Sequence, residues 1–253
     1  AAMGGSQSKR LEVASKTGVL ALKEEGLTLV PEKVFTIRTL RTLDLSGNKL
    51  IKLPPQVGVL AQLTVLVVDR NRLKALPDEI SKAEKLETIS ANNNQLTCLP
   101  NSIGSLSRLK KLTVSYNEMT QLPPMLCQCT NLQLLDLTHN ALSSLPSPGF
   151  ERLTGLVDVR LGYNQLTSLP SGLGSLCRLK DLDLRGNANL VGIPEDLLRD
   201  STLQHIQVDA SLLGIDGMLA EMPGRDAYLQ RRKARIDKEL HGKAGGGDVN
   251  FGT

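Results

Sequence analysis

Eight dipeptides with an aliphatic residue before proline punctuate this chain: Val30-Pro31, Leu53-Pro54, Leu76-Pro77, Leu99-Pro100, Leu122-Pro123, Leu145-Pro146, Leu169-Pro170 and Ile193-Pro194. The prolines lie 23 residues apart five times and then 24 apart twice. Self-similarity at a fixed period of about 20–29 residues is the signature of a solenoid, because one such unit cannot bury its own apolar face and must stack on its neighbours. Each unit here reads L-x-x-L-x-L-x-x-N-x-L-x-x-L-P.

In the unit Leu40, Leu43, Leu45, Asn48, Leu50, Leu53, Pro54, the pair Leu43 and Leu45 flanks Asp44 with period-2 alternation. That alternation predicts a short strand with one buried face. Asn48 follows, with equivalents at Asn71, Asn94, Asn117, Asn140, Asn164 and Asn187. An amide inside an aliphatic frame needs hydrogen-bond partners, so these seven residues are expected to form a structural ladder along the backbone of adjacent coils. After each proline comes P-x-x-Φ-x-x-Φ, as in Val57 and Leu60 or Ile103 and Leu106. The three-residue spacing suits one helical or 3₁₀ turn. The predicted fold is therefore an α/β leucine-rich-repeat solenoid: parallel strands on a concave face, short helical or 3₁₀ turns on the convex face, and a helical cap at each end. Its core is a rod of leucine, which is how a chain with no Trp and only 2% aromatic residues builds one.

The expected organisation is a flexible arm over residues 1–8, a capping helix over 9–17, about nine repeats over 18–213, a cap over 214–244 and a disordered Gly-rich tail over 245–253. Both end repeats are degenerate, with Glu25 and Ser211 in the Asn position. In the C-terminal cap, Asp226 is expected to N-cap an amphipathic helix. Tyr228, Leu229, Ile236 and Leu240 would lie on its apolar face, and Arg231, Arg232, Lys233, Arg235 and Lys238 on the other. The net charge of +4 is mild. Nothing approaches a run of about 18 apolar residues, so no membrane span is expected, and no apolar segment opens the chain as a secretory signal would. Cys129 occupies a core position, while Cys98, Cys127 and Cys177 read as scattered convex-side substitutions. Cysteine clusters in the caps, usual for secreted repeats, are missing, which points to a reducing, cytoplasmic compartment.

Little here can carry chemistry. No Gly-rich phosphate loop follows a strand, Cys127-Gln-Cys129 lacks a second pair, and His139, His205 and His241 are far apart in the repeat frame. No catalytic residue, metal or cofactor is expected, and no small-molecule substrate. Binding is different, because the strand residues outside the core line the concave surface in columns. Tyr116, His139 and Tyr163 share one column in successive repeats, just before the Asn. Around them lie Asp136, Asp158, Asp181 and Asp183, interleaved with Arg160 and Arg185. Tyr and Arg are favoured interface anchors, so these nine residues are the candidate partner-binding site. The acidic bias points to a basic or Arg-bearing protein and away from nucleic acid, which requires a basic stripe.

Met3-Gly4-Gly5-Ser6-Gln7-Ser8 fits the N-myristoylation pattern M-G-x-x-x-[ST] and is followed by Lys9 and Arg10. Gly4 is the candidate lipidation site. One myristoyl chain binds membranes only marginally, so a basic second signal is needed; Lys9, Arg10 and the basic helix are the candidates for it.

Beyond the repeats, the chain resembles the leucine-rich repeat-containing protein fifty-seven-like family, of the intracellular Ras-group-like class. The resemblance rests on the Met3-Gly4 start, Lys16-Thr17-Gly18-Val19 with Leu22-Lys23 and Gly26-Leu27, and Leu76-Pro77-Asp78-Glu79-Ile80. It extends to Leu122-Pro123-Pro124 before Leu126-Cys127, and to Gly224-x-Asp226-x-Tyr228-Leu229-Gln230-Arg231. The chain departs from that family in its inserted residues in the last repeats and its longer Gly-rich tail. The resemblance implies an N-myristoylated, non-enzymatic scaffold in the cytoplasm or at the membrane periphery, and it names no partner. Three roles fit: a tethered protein-interaction scaffold, a structural subunit of a cytoskeletal or organellar assembly, or a targeting subunit of a phosphatase or ubiquitin ligase.

Overall fold

The computed structural model describes residues 5–209 and 224–244. Helix α1 (Gly5–Thr17) closes one end and is followed, among the described residues, by nine strands: β1 (Val19–Ala21), β2 (Thr42–Asp44), β3 (Val65–Val67), β4 (Thr88–Ser90), β5 (Lys111–Thr113), β6 (Leu134–Asp136), β7 (Asp158–Arg160), β8 (Asp181–Asp183) and β9 (His205–Gln207). They form one parallel sheet in sequence order. The register follows the repeat: Leu43 pairs with Leu66, Leu66 with Ile89, and so on to Leu182 with Ile206. In β2–β8 the middle residue of each three-residue strand is buried and its neighbours lie on the open face, so the columns read from the sequence are physical rows.

In the first five repeats the proline stands in extended conformation immediately before a 3₁₀ turn, as Pro77 does before Asp78–Lys82 and Pro100 before Asn101–Ser105. Its fixed φ suits that entry, and its missing N–H leaves no ladder bond unmade. In the eighth repeat a true helix, α2 (Glu195–Asp200), replaces the 3₁₀ turn. Between sheet and turns lies an unbroken aliphatic core running from Leu11 and Ala14 of α1 to Leu203 and Tyr228. Each fully buried Leu contributes about 1.5–3 kcal/mol.

Both extra residues of the 24-residue repeats fall outside the sheet. The first lies between Pro146 and Phe150, where Gly149 takes φ +138° and its N–H donates to the Glu151 carboxylate at 2.8 Å. The second follows Asn187, where Leu190 N–H closes a turn on Asn187 O at 3.1 Å. Strand pairing continues across both.

Four expectations need correction. Helix α1 begins at Gly5, so residues 5–8, expected in a flexible arm, are helical. The C-terminal helix, α3 (Arg225–Ala244), begins at Arg225, which places Asp226 inside its first turn rather than at its N-cap. Of the apolar face of α3, Tyr228 is buried, whereas Leu229 and Ile236 are exposed. Cys127 is buried rather than on the surface, while Cys98 and Cys177 are exposed. Gly4, Ser211 and the 245–253 tail lie outside the described residues, as does the 214–223 part of the C-terminal cap.

Candidate functional site

The Asn ladder sets the geometry of the site. Asn94 donates from Nδ2 to Val68 O of the preceding repeat at 3.0 Å and to Ala91 O of its own at 3.2 Å, while its Oδ1 accepts the Leu73 N–H at 3.0 Å. Asn48, Asn71, Asn117, Asn140, Asn164 and Asn187 repeat the pattern. Asn48 accepts from both Glu25 N and Leu27 N at 3.0 Å. Glu25, in the Asn position of the first repeat, turns its carboxylate to Arg10 of α1 at 2.5 Å instead. That ion pair ties the N-terminal cap to the solenoid.

The residue before each Asn is left-handed. Glu24, Arg70, Asn93, Tyr116, His139 and Tyr163 have φ between +52° and +56°, and Gly47 and Gly186 occupy the same column at +69° and +71°. A bulky residue there is a backbone outlier that costs on the order of 1–3 kcal/mol. The conformation extends the inter-repeat ladder past the strands: Tyr116 N–H donates to Thr138 O and His139 N–H to Gly162 O, both at 2.9 Å. It also brings the side chains of successive repeats face to face. The Tyr116 and His139 rings stack at 4.2 Å between centroids and 17° between planes, and the His139 and Tyr163 rings at 4.3 Å and 3°. Stacked aromatic pairs contribute about 0.5–1.5 kcal/mol each beyond area burial, enough to offset much of the backbone strain. Tyr116 and Tyr163 remain 52% and 48% exposed, so the stack presents a half-open apolar edge on a polar face.

Beside the stack lies a depression of about 440 Å³ lined by Tyr116, Asp136, Asp158, Asp181, Asp183 and neighbouring side chains. All four carboxylates meet cations. Arg160 forks onto Asp158 at 2.6 and 3.2 Å and reaches Asp136 at 3.8 Å. Arg185 forks onto Asp183 at 2.7 and 2.9 Å. Asp181 takes Arg235 of α3 at 2.6 Å, with His205 Nδ1 at 3.7 Å. Burial works against the charge on Asp183, but hydrogen bonds from Arg185 outweigh it and hold the carboxyl below its usual range. The hydrogen bonds that Arg160 donates to Asp158 raise the guanidinium further above its already high value. The expected acidic surface is thus a mosaic of internal ion pairs.

The structure brings all nine candidate residues to one stretch of the concave face, over β5–β8 and the turns that follow them. It adds residues that column reading passed over. Ser90 donates to Asp69 at 2.8 Å, and Asn92 donates from its backbone to Asp69 at 2.7 Å. Asn92 Nδ2 reaches Thr113 Oγ1 at 3.1 Å, and Ser115 Oγ donates to Asn92 Oδ1 at 2.9 Å. This net lies on the other side of Tyr116 from the ion pairs. Its signal was the column holding Ser46, Asp69, Asn92, Ser115 and Thr138, polar in five successive repeats. Among the described residues no His, Cys, Asp and Glu cluster could hold a metal ion, and no helix is long and apolar enough to cross a membrane.

Comparison with known families agrees with this architecture. A leucine-rich repeat region model matches residues 16–115, and a leucine-rich repeat model matches residues 130–190. The chain is a leucine-rich-repeat-containing protein, and its nine-stranded solenoid is that class of fold. Comparison with curated proteins returns no match. Among solved structures, a leucine-rich-repeat protein of Leptospira interrogans is 25% identical with a TM-score of 0.56, the match covering 81% of this chain and 72% of that one. The ectodomain of the Arabidopsis thaliana membrane receptor kinase GASSHO1/SCHENGEN3, solved in complex with CASPARIAN STRIP INTEGRITY FACTOR 2, is 30% identical with a TM-score of 0.63; the match covers 72% of this chain but only 22% of that one. Internalin C2 of Listeria monocytogenes shares the fold at 19% identity and a TM-score of 0.68, over 81% of this chain and 93% of that one.

Proposed function

We propose that this protein is a non-enzymatic scaffold that holds a segment of a partner protein across its concave face, anchored on Tyr116, His139 and Tyr163 and flanked by the Asp136–Arg185 ion-pair mosaic. The observation that carries the reading is the stack. Three large side chains held in a strained backbone conformation, the two outer ones half-exposed, form a rigid ridge, the kind of anchor that dominates interface energetics. The surrounding charges supply register and selectivity more than affinity. The receptor ectodomain neighbour, solved with a bound factor, supports a binding role for this type of surface.

The reading also takes in the kinship with the fifty-seven-like family, a cytoplasmic location and a lipid tether at Gly4. A myristoyl mass on protein expressed from Met3 in eukaryotic cells, lost in Gly4→Ala, tests the tether. A second reading, a subunit of a larger assembly, draws support from Leu229 and Ile236, which α3 leaves exposed among basic residues. Quantitative capture of partners from native extract separates the two. On the scaffold reading, Tyr163→Ala loses the protein that the wild type retains, and Lys82→Glu on the convex 3₁₀ turn does not. Retention by Tyr163→Ala with loss by Leu229→Glu favours the assembly reading.

A further inference from the structure

Within the repeats, the depression holds four carboxylates, Asp136, Asp158, Asp181 and Asp183, and two guanidinium groups, Arg160 and Arg185. Each arginine forks onto the aspartate two residues before it, in its own repeat. Asp181 receives its cation from elsewhere. Arg235 comes from α3, 54 residues along the chain, and places Nη1 2.6 Å from Asp181 Oδ1. The helix is held there by other residues. Tyr228 is buried, and its hydroxyl accepts the Ile206 N–H at 3.4 Å. Arg231 donates to Leu203 O at 3.0 Å and to Leu198 O. Tyr228 and Arg231 therefore fix α3, and Arg235, a turn further on and about one-third exposed, projects past the anchor to the rim of the depression.

We propose that Arg235 is a self-inhibitory gate: it occupies the carboxylate that would otherwise receive an arginine of the partner. The proposal rests on the concave-face reading and specifies how that site is regulated. The internal guanidinium reports the chemistry that the rim selects, a planar cation approaching Asp181 beside His205. Opening requires only that one side chain swing away, because the helix is anchored independently. An ion pair at this degree of exposure is weak and sensitive to salt, so the gate biases binding and does not block it. A partner segment that brings its own arginine while engaging the Tyr163 ridge displaces Arg235, whereas a segment without one gains nothing from the displacement.

The test uses the full chain and an acetylated, amidated tetra-arginine peptide, titrated by calorimetry at low ionic strength. Arg235→Ala is expected to bind the peptide about fivefold more tightly than the wild type, with an unchanged thermal midpoint. Adding Asp181→Asn is expected to cancel the gain. Equal or weaker binding by Arg235→Ala overturns the gate, as does a gain that survives Asp181→Asn. A different result sinks the concave-face reading itself: no binding by the wild type or any variant, or binding insensitive to both Asp158→Asn and Tyr163→Ala. Equal binding by wild type and Arg235→Ala that Asp158→Asn weakens in both leaves that reading intact and removes the gate alone.

Discussion

Gly186 makes room for Tyr163. A Cβ at position 186 would lie 2.5 Å from Tyr163 Cδ1 and 2.9 Å from its Cα, distances that no real side chain tolerates. The aromatic column therefore ends where it does because the next repeat offers bare backbone for the last ring to lie against. Gly186 also needs its left-handed φ of +71°, so the same glycine serves the turn and the ring.

Gly186→Ala is accordingly expected to destabilise the protein by about 1–3 kcal/mol through backbone strain and to displace the Tyr163 ring. The chain has no Trp and only three Tyr, and two of those tyrosines are in the stack. Near-UV circular dichroism therefore reads the stack almost directly. Loss of stability with an unaltered near-UV spectrum would falsify the ring contact while leaving the strain argument intact.

Asn94→Ala leaves Val68 O, Ala91 O and Leu73 N without their side-chain partner in mid-solenoid. A buried group deprived of its bond costs about 1–3 kcal/mol, so a loss of several kcal/mol is expected. Glu25→Ala removes one ion pair at the cap, a loss of at most about 1 kcal/mol. Chemical denaturation of the two variants side by side decides it; equal midpoints contradict the role given to the ladder.

The thiols divide by repeat position. Burial pushes the Cys129 thiol up to about 11, and Cys127 is raised as well, first by burial and then by the Glu151 charge. A native chain treated with a maleimide at neutral pH should react at Cys98 and Cys177 and spare the other two, with all four reacting in denaturant. Rapid native labelling of Cys129, read by peptide mass spectrometry, would show that the core opens there.

Acid should loosen the concave face in a defined window. Burial opposes the charge on Asp44 and on Asp183, yet hydrogen bonds from Ser46 and Lys23, and from Arg185, leave both carboxyls below the ordinary value of 3.8. A folded-state value below the unfolded one adds stability that is complete above the unfolded value and is lost as pH falls through the folded one. Stability should hold from neutrality to about pH 5 and then decline below pH 4. Asp183→Asn should flatten part of that decline; a slope identical to that of the wild type would remove Asp183 as a contributor.

Much of this architecture was legible in the repeat frame, and the exceptions share one cause. Leu43, Asn48 and Pro54 specify strand, ladder and turn by spacing alone, because each fills an equivalent place in every coil. The concave columns followed, since period-2 alternation fixes which face a residue takes. The left-handed turn under Tyr116, His139 and Tyr163 was signalled by Gly47 and Gly186, and more weakly by Asn93, in the same column, and was missed because Tyr rarely adopts that conformation. The Arg235–Asp181 pair had no signal at all. It joins a residue inside the frame to one outside it, and no periodicity relates the two. Cys127 was misplaced because its counterparts, Gly58 and Gly104, carry no side chain that would reveal a buried position.

The two insertions, at Gly149 and after Asn187, lengthen the loops and leave the strands undisturbed, so the concave face keeps a constant ruling. Strands repeat at about 4.8 Å, while a polyproline II segment advances about 3.1 Å per residue, or about 9.3 Å for three. Two strands therefore span nearly the same distance as one turn of such a segment. A chain laid across β5–β9 in that conformation meets the face as a vernier: every third residue falls on alternate strands, and the small mismatch accumulates slowly enough for several contacts to stay in step.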